Sequence, residues 1–361
     1  MHPLEAEIRR RIALGGPMPV QQYMALCLSH PEHGYYTTRD PLGRAGDFIT
    51  SPEISQMFGE LIGLWAAALW HAMGEPQSLR LVELGPGRGT MMLDALRAAQ
   101  VVPGFRAAVD VHLVETSPAM RAKQVQTLRK LDVPVTWHES FEEVPAGPII
   151  VLANEFFDAL PVRQAIKHFN GWYERMVLID DAGKLAYGIS NEPVPLIEHL
   201  LPEKLRDAPV ATIFEWRPDN LVLEISRRLV REGGAGLVID YGHTESAGGE
   251  TLQALGNHAF ADPLITPGEF DLTAHVDFQA FALSADSMGA RRHGPVTQAQ
   301  FLRSLGLENR AQALKNAAPQ KAAEIEAAAL RLTDESRTGM GSLFKVLGFG
   351  HPSLALPGFE G

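Results

Sequence analysis

The run Leu79-Arg80-Leu81-Val82-Glu83-Leu84-Gly85-Pro86-Gly87-Arg88-Gly89-Thr90 constrains the fold of this chain more than any other stretch. An apolar segment ends in an acid, passes through alternating glycines and continues into Met91 to Ala99, whose composition is helical. The pattern predicts a buried strand, a turn without side chains and a helix whose N-terminal amides point across that turn. Alternating glycines are costly unless the backbone must approach a ligand closely or take positive φ. A dinucleotide-binding turn needs a third glycine at G-x-G-x-x-G, which packs helix on strand beside a pyrophosphate. Position 90 is threonine, so the turn is E-x-G-x-G-x-G and suits a ligand without a pyrophosphate.

Further apolar segments at 111–115, 133–137 and 148–153 alternate with helical stretches, which predicts a parallel sheet with right-handed crossovers. A fifth strand is expected at 236–241 and a last at 341–348, with strands six and seven as an antiparallel hairpin at one sheet edge. The expected division is a helical, loop-rich lead over 1–78, a core over 79–161 and 219–361 with an insertion at about 243–290, and an inserted lobe over 162–218. Asn170-Gly171 between two alternating runs predicts a hairpin in that lobe. Thr297 with Gln300 predicts a capping box.

The single cysteine, Cys27, excludes an internal disulfide and a Cys-based zinc cluster. His30-Pro31-Glu32-His33 lacks a third ligand at convincing spacing, so no metal is expected. A net charge of -11 argues against a general nucleic-acid binder and suits a neutral or basic partner. Leu61 to Trp70, the longest apolar stretch, is too short for a bilayer and lies between Glu60 and His71, so no stable membrane insertion is expected. Residues 1–16 carry Arg9-Arg10-Arg11 together with Glu5 and Glu7, a poor signal or transit peptide.

In open α/β sheets, ligands lie beyond the carboxyl ends of the strands. Glu115, ending the second strand, is placed to accept hydrogen bonds from ribose hydroxyls. After strand four, Asn154, Glu155 and Asp158 fall where an acceptor would meet the ligand, and a carboxylate pair matches the planar fork of a guanidinium. The loop Ala45 to Glu53 ends in a helix start, with Ser51 as N-cap and Pro52 as first helical residue; its Asp47 and Thr50 are expected to close over the ligand. In Asp271 to Phe278, His275 is a candidate to orient an acceptor or relay a proton, with Asp277 fixing its tautomer. The competing reading has Asp277 capping the helix that carries Phe278 and Phe281.

The glycine turn resembles the first motif of class I S-adenosylmethionine (SAM) methyltransferases. Together, Gly46 to Glu53, Glu83 to Thr90, Asn154 to Pro161 and Asp271 to Phe278 resemble the MidA family, and the likeness covers nearly the whole chain. The resemblance implies an α/β fold on the Rossmann-like seven-stranded class I methyltransferase sheet, with SAM as cofactor. It implies cofactor contacts from Glu83, Gly85, Pro86, Gly87, Gly89, Thr90 and Glu115, and an adenine contact among His138, Glu139, Ser140 and Phe141, for which Ser140 is the candidate. It further implies symmetric dimethylation of an arginine in the quinone-proximal subunit of NADH:ubiquinone oxidoreductase (complex I) during assembly, hence a protein partner. Glu155 would then grip the guanidinium, with Asp158 as its partner and Asn154 beside it.

A methyltransferase for a small molecule or another side chain, and a SAM-binding assembly chaperone without catalysis, are the alternatives. The weak N-terminal signal suggests a bacterial cytoplasmic protein; a eukaryotic one would work in the mitochondrial matrix, and a homodimer is compatible with the sequence. Gly87→Val should set a side chain against the ligand and lower SAM affinity more than about tenfold in calorimetry, whereas undiminished binding would contradict the cofactor assignment.

Overall fold

The computed structural model describes residues 2–38, 49–129, 131, 133–256 and 259–359. Runs rich in Val, Leu and Ile, apolar on both faces, form a sheet covered by helices on either side. Its strands are Leu79–Leu84 (β1), Val109–Val114 (β2), Val135–His138 (β3), Ile149–Asn154 (β4), Gly234–His243 (β5), Arg291–Thr297 (β6) and Phe344–Gly350 (β7). They lie in the order β6-β7-β5-β4-β1-β2-β3. Strands β1 to β5 are parallel, and β7 runs antiparallel between β5 and β6. The two-residue strand Val276–Asp277 adds to the end of β5 beside Gly242 and His243.

The last strand begins later than its composition suggests. Gly341 lies against the Thr333 backbone, where a Cβ would come within 2.5 Å, and Met340–Leu343 makes a helical turn before β7 starts at Phe344. Thr297 and Gln300 form the expected capping box at the helix Gln298–Ser304.

Alternation along the strands divides the core. Leu81, Val111, Ile150 and Leu237 face the helices Gln56–Ala72 and Thr90–Ala98, whose Phe58, Trp65 and Met92 pack with them. Val82, Val151 and Val238 face the other way, onto Val222, Ile225, Phe278 and Phe281 of Asn220–Glu232 and Phe278–Ser287. The helices Gln56–Ala72 and Thr90–Ala98 approach at glycines: a Cβ on Gly63 would fall 2.2 Å from the Ala95 carbonyl oxygen. That contact fixes the helix whose N-terminus the glycine turn feeds.

In the inserted segment, Arg163–His168 and Gly171–Ile179 pair as an antiparallel hairpin with His168 opposite Gly171. Leu185–Pro193, Ile213–Trp216 and the two residues Met18–Pro19 extend this second sheet. The helices Pro3–Gly15 and Val20–Ser29 pack onto it, joining Leu4, Tyr23, Met24 and Leu28 with Val162, Val177, Leu252 and Leu272. Thr50, one residue earlier than expected, is the N-cap of the short helix Ser51–Ile54, so Ser51 is its first residue and Pro52 its second. Among the described residues, no helix is long and apolar enough to cross a membrane. Gly63→Ala should overpack the helix contact and lower stability by roughly 1–3 kcal/mol, measured as a lower urea midpoint at unchanged slope; an unchanged midpoint would contradict the packing.

Candidate active site

Because β1 and β4 are parallel neighbours with Leu84 opposite Ala153, the turns that follow them emerge side by side. Above them lies a cavity of about 740 Å³ lined by the glycine turn, the residues after β2, the residues after β4 and parts of the N-terminal lead. Gly85, Gly87 and Gly89 take φ of +60°, +52° and +80°, the left-handed region that favours glycine. Gly85 is needed for a second reason, since a Cβ there would meet the Phe156 ring at 2.7 Å.

Among the residues lining the cavity is Glu83, 3 % exposed and pushed by burial up to about 8. Its Oε2 has no hydrogen-bond partner among the described residues, so the site offers a buried acceptor suited to a cation. Glu115, also raised by burial, accepts from the Ser117 amide (2.8 Å) and from Gln124 Nε2 (3.1 Å). Gln124, fully buried, donates as well to the Gly87 carbonyl (2.8 Å) and accepts from the Trp137 indole (2.9 Å), tying the glycine turn to Glu115. The Thr90 hydroxyl donates to Glu53 on the short helix (2.6 Å). A buried carboxyl with an unpaired oxygen, a glycine turn that lines the cavity and a fixed acid just after the next strand are a set of groups that fits SAM, which carries an ammonium, a sulfonium and a ribose diol.

Asn154, the last residue of β4, and Glu155 after it also line the cavity. Glu155 holds a φ of +50°, rare for a residue with a side chain, and its Oε1 accepts from the Ser51 amide (2.8 Å) and from Asn154 Nδ2 (3.1 Å). Burial first, and the neighbouring Asp158 charge next, raise this carboxyl to about 7 against the lowering effect of the Ser51 bond. Leu28, Pro31, Tyr36, Phe156 and Leu160 make the surrounding wall.

The expected residues are thus partly assembled. Glu83, Gly85, Pro86, Gly87, Thr90, Glu115, Thr50, Asn154 and Glu155 line this cavity. Gly89, Ser140, Asp158 and His275 are not among its lining residues, and Asp47 lies outside the described residues. Gly89 instead is the N-cap of Thr90–Ala98. Asp158, within the loop after β4, is 6 % exposed and lies beside the Tyr241 hydroxyl. His275 packs edge-on against the Tyr241 ring (5.4 Å between centroids), and burial pushes it down to about 4, so it is a poor proton relay near neutrality. Asp277 does not orient it: its carboxylate caps Phe278–Ser287 through the Ala280 amide (3.0 Å) and faces His243 at 3.7 Å. Gln124, Asp240 and Arg217 were not indicated by any motif; their roles come from long-range contacts.

A parallel sheet closed by an antiparallel final pair, with a glycine turn over its middle strand, defines a class I SAM-dependent methyltransferase. Residues 61–296 match the family model described as "Putative S-adenosyl-L-methionine-dependent methyltransferase". The human "Protein arginine methyltransferase NDUFAF7, mitochondrial" is 37% identical, with 86% of this chain and 75% of that protein covered. The Drosophila melanogaster homologue of the same name is 38% identical over 95% of this chain and 84% of its own. A Burkholderia thailandensis protein solved bound to S-adenosyl-homocysteine superimposes with a TM-score of 0.82 at 30% identity, covering 99% of this chain and 92% of that one. The chain belongs to the MidA family of SAM-dependent methyltransferases.

Raised acids make a stability prediction. The folded protein keeps a proton on Glu83 up to about 8, which the unfolded chain releases near 4.5, so stability falls as pH rises between those values. Glu83→Gln should flatten this decline in thermal melts at pH 5 to 8; an equal decline in both proteins would contradict the burial of that charge.

Proposed function

We propose that this enzyme transfers methyl groups from SAM to an arginine guanidinium of a protein, with Glu155 holding the acceptor. The observation that carries the reading is the Glu155 carboxyl, raised to about 7 on the wall of the cavity that also holds the glycine turn. A buried carboxyl held near neutrality becomes a stable anion when a cation enters, and a guanidinium brings both charge and a planar fork of donors. Leu28, Tyr36, Phe156 and Leu160 give the aliphatic stem of such a side chain an apolar channel, with the charge at its tip.

In this reading Glu83 and the turn Gly85 to Gly89 hold the methionine part of the cofactor, Glu115 accepts from the ribose hydroxyls, and Thr50 and Thr90 close the site. SAM, when bound, supplies a methyl already activated on a sulfonium sulfur. The chain's task is positioning: Glu155 orients two guanidinium nitrogens so that the third points at the donor, and the apolar wall excludes water. Asp158 contributes negative charge from beneath rather than a second grip. The names of the relatives support arginine as the acceptor. The proposed target is the quinone-proximal subunit of complex I, docked against the inserted lobe over 162–218.

Glu155→Gln should retain SAM affinity while lowering methyl transfer to that subunit by about 100-fold or more, followed by mass spectrometry of the modified arginine. In the unsubstituted enzyme kcat/KM should rise with pH through about 7 as Glu155 ionises. Undiminished transfer by the variant would remove the reading. Arginine methylation unchanged in a strain lacking the protein would point to a different acceptor.

A further inference from the structure

We propose that Arg217 and Asp240 form a two-ended brace that positions Glu155. The loop after β4 is gripped from beneath by both. Asp240, fully buried on β5, accepts on Oδ2 from three successive amides, those of Phe156 (3.2 Å), Phe157 (2.9 Å) and Asp158 (3.1 Å), and on Oδ1 from its neighbour Tyr241 (2.9 Å). Arg217 donates to two carbonyls at the far end of the same loop, Nη2 to Asp158 (3.0 Å) and Nε to Leu160 (3.0 Å), and to two of the segment before Val276–Asp277, Nη2 to Ala274 (2.5 Å) and Nη1 to His275 (2.7 Å). A carboxyl that burial and the neighbouring Asp158 hold well above the usual carboxylate range thus takes the loop's amides, and a guanidinium, whose charge works against that rise, takes carbonyls at its far end.

Glu155 heads this loop in a left-handed conformation that a residue with a side chain adopts only when its surroundings enforce it. Its own amide donates to Ile239, the residue before Asp240, at 2.9 Å. Four consecutive amides, from Glu155 to Asp158, are therefore satisfied by Ile239 and Asp240 alone. Arg217 directly follows the strand Ile213–Trp216 of the second sheet. On that strand Glu215 accepts from the Thr251 and Leu252 amides and from Gln164 Nε2, so both insertions are fastened to the loop that carries Glu155. Arg217 and Asp240 do not line the cavity, which makes them positioning residues. The charged and titratable groups around Glu155 are Asp158 and Asp240 below, Arg217 beyond them, and Glu53 and Tyr36 on the cavity wall.

The Ser51 amide, bonded to Glu155 Oε1 at 2.8 Å, reports on that carboxyl. The test is to titrate the full chain, labelled with nitrogen-15, and follow the Ser51 amide resonance in the unsubstituted protein, Arg217→Gln and Arg217→Lys, with S-adenosyl-homocysteine affinity measured by calorimetry. The unsubstituted amide should titrate near 7. In Arg217→Gln the titration should vanish or move about one pH unit or more toward an ordinary glutamate, with Arg217→Lys between. Affinity for S-adenosyl-homocysteine should stay within about threefold in both.

A Ser51 titration unaltered in Arg217→Gln would overturn the brace, as would cofactor affinity falling in parallel with the altered titration. Should Arg217→Gln fail to fold, an unaltered titration in Arg217→Lys would overturn it equally. The catalytic meaning of the brace rests on Glu155 facing the acceptor. Neither readout involves an acceptor, so an error about arginine would leave both results standing.

Discussion

Everything in the site depends on the parallel pairing of β1 with β4 at the centre of the sheet. With Leu84 opposite Ala153, the next residues, Gly85 and Asn154, come out as neighbours at the same carboxyl edge. The glycine turn and the loop that carries Glu155 are therefore adjacent before any ligand arrives. Their contact is intimate, because the Phe156 ring occupies the space that a side chain on residue 85 would need. One glycine thus serves both the close approach to a ligand and the joining of the two halves of the site.

The N-terminal segment closes this arrangement with economy. The four-residue helix Ser51–Ile54 reaches both halves of the site: the Ser51 amide meets Glu155, and Glu53 accepts from Thr90 at the head of the helix Thr90–Ala98. Two carboxyls held up by burial, Glu83 and Glu155, line the same cavity. Each is poorly solvated as an anion, and each is relieved by a cation. A cationic cofactor and a cationic acceptor are what such a cavity would select.

Much of this was legible in the sequence because it is local. The glycine turn, the acid at 115, the capping box at Thr297 and the Asn170-Gly171 hairpin each depend on residues close in the chain, where spacing dictates geometry. Asn154 and Glu155 were legible because strand ends in a parallel sheet share one edge. The exceptions involve residues brought together across the fold. Asp158 and His275 are polar and follow strands, yet both pack against Tyr241, with the Asp158 amide held by Asp240, and neither lines the cavity. The start of β7 shifted because Gly341 is pressed against Thr333, a contact that periodicity does not encode. Gln124 gave no signal at all: a glutamine on an ordinary helix becomes the link between Gly87, Glu115 and Trp137 only once β2 and β3 are in place.

The most direct test is a crystal structure of the enzyme with S-adenosyl-homocysteine and an arginine-bearing peptide of the proposed substrate. The account predicts the ribose on Glu115, the sulfur facing Glu155, and a guanidinium gripped by that carboxylate with its free nitrogen about 3–3.5 Å from where the methyl would sit. A sulfur turned away from Glu155, or a peptide that engages the cavity without reaching it, would contradict the account at its centre.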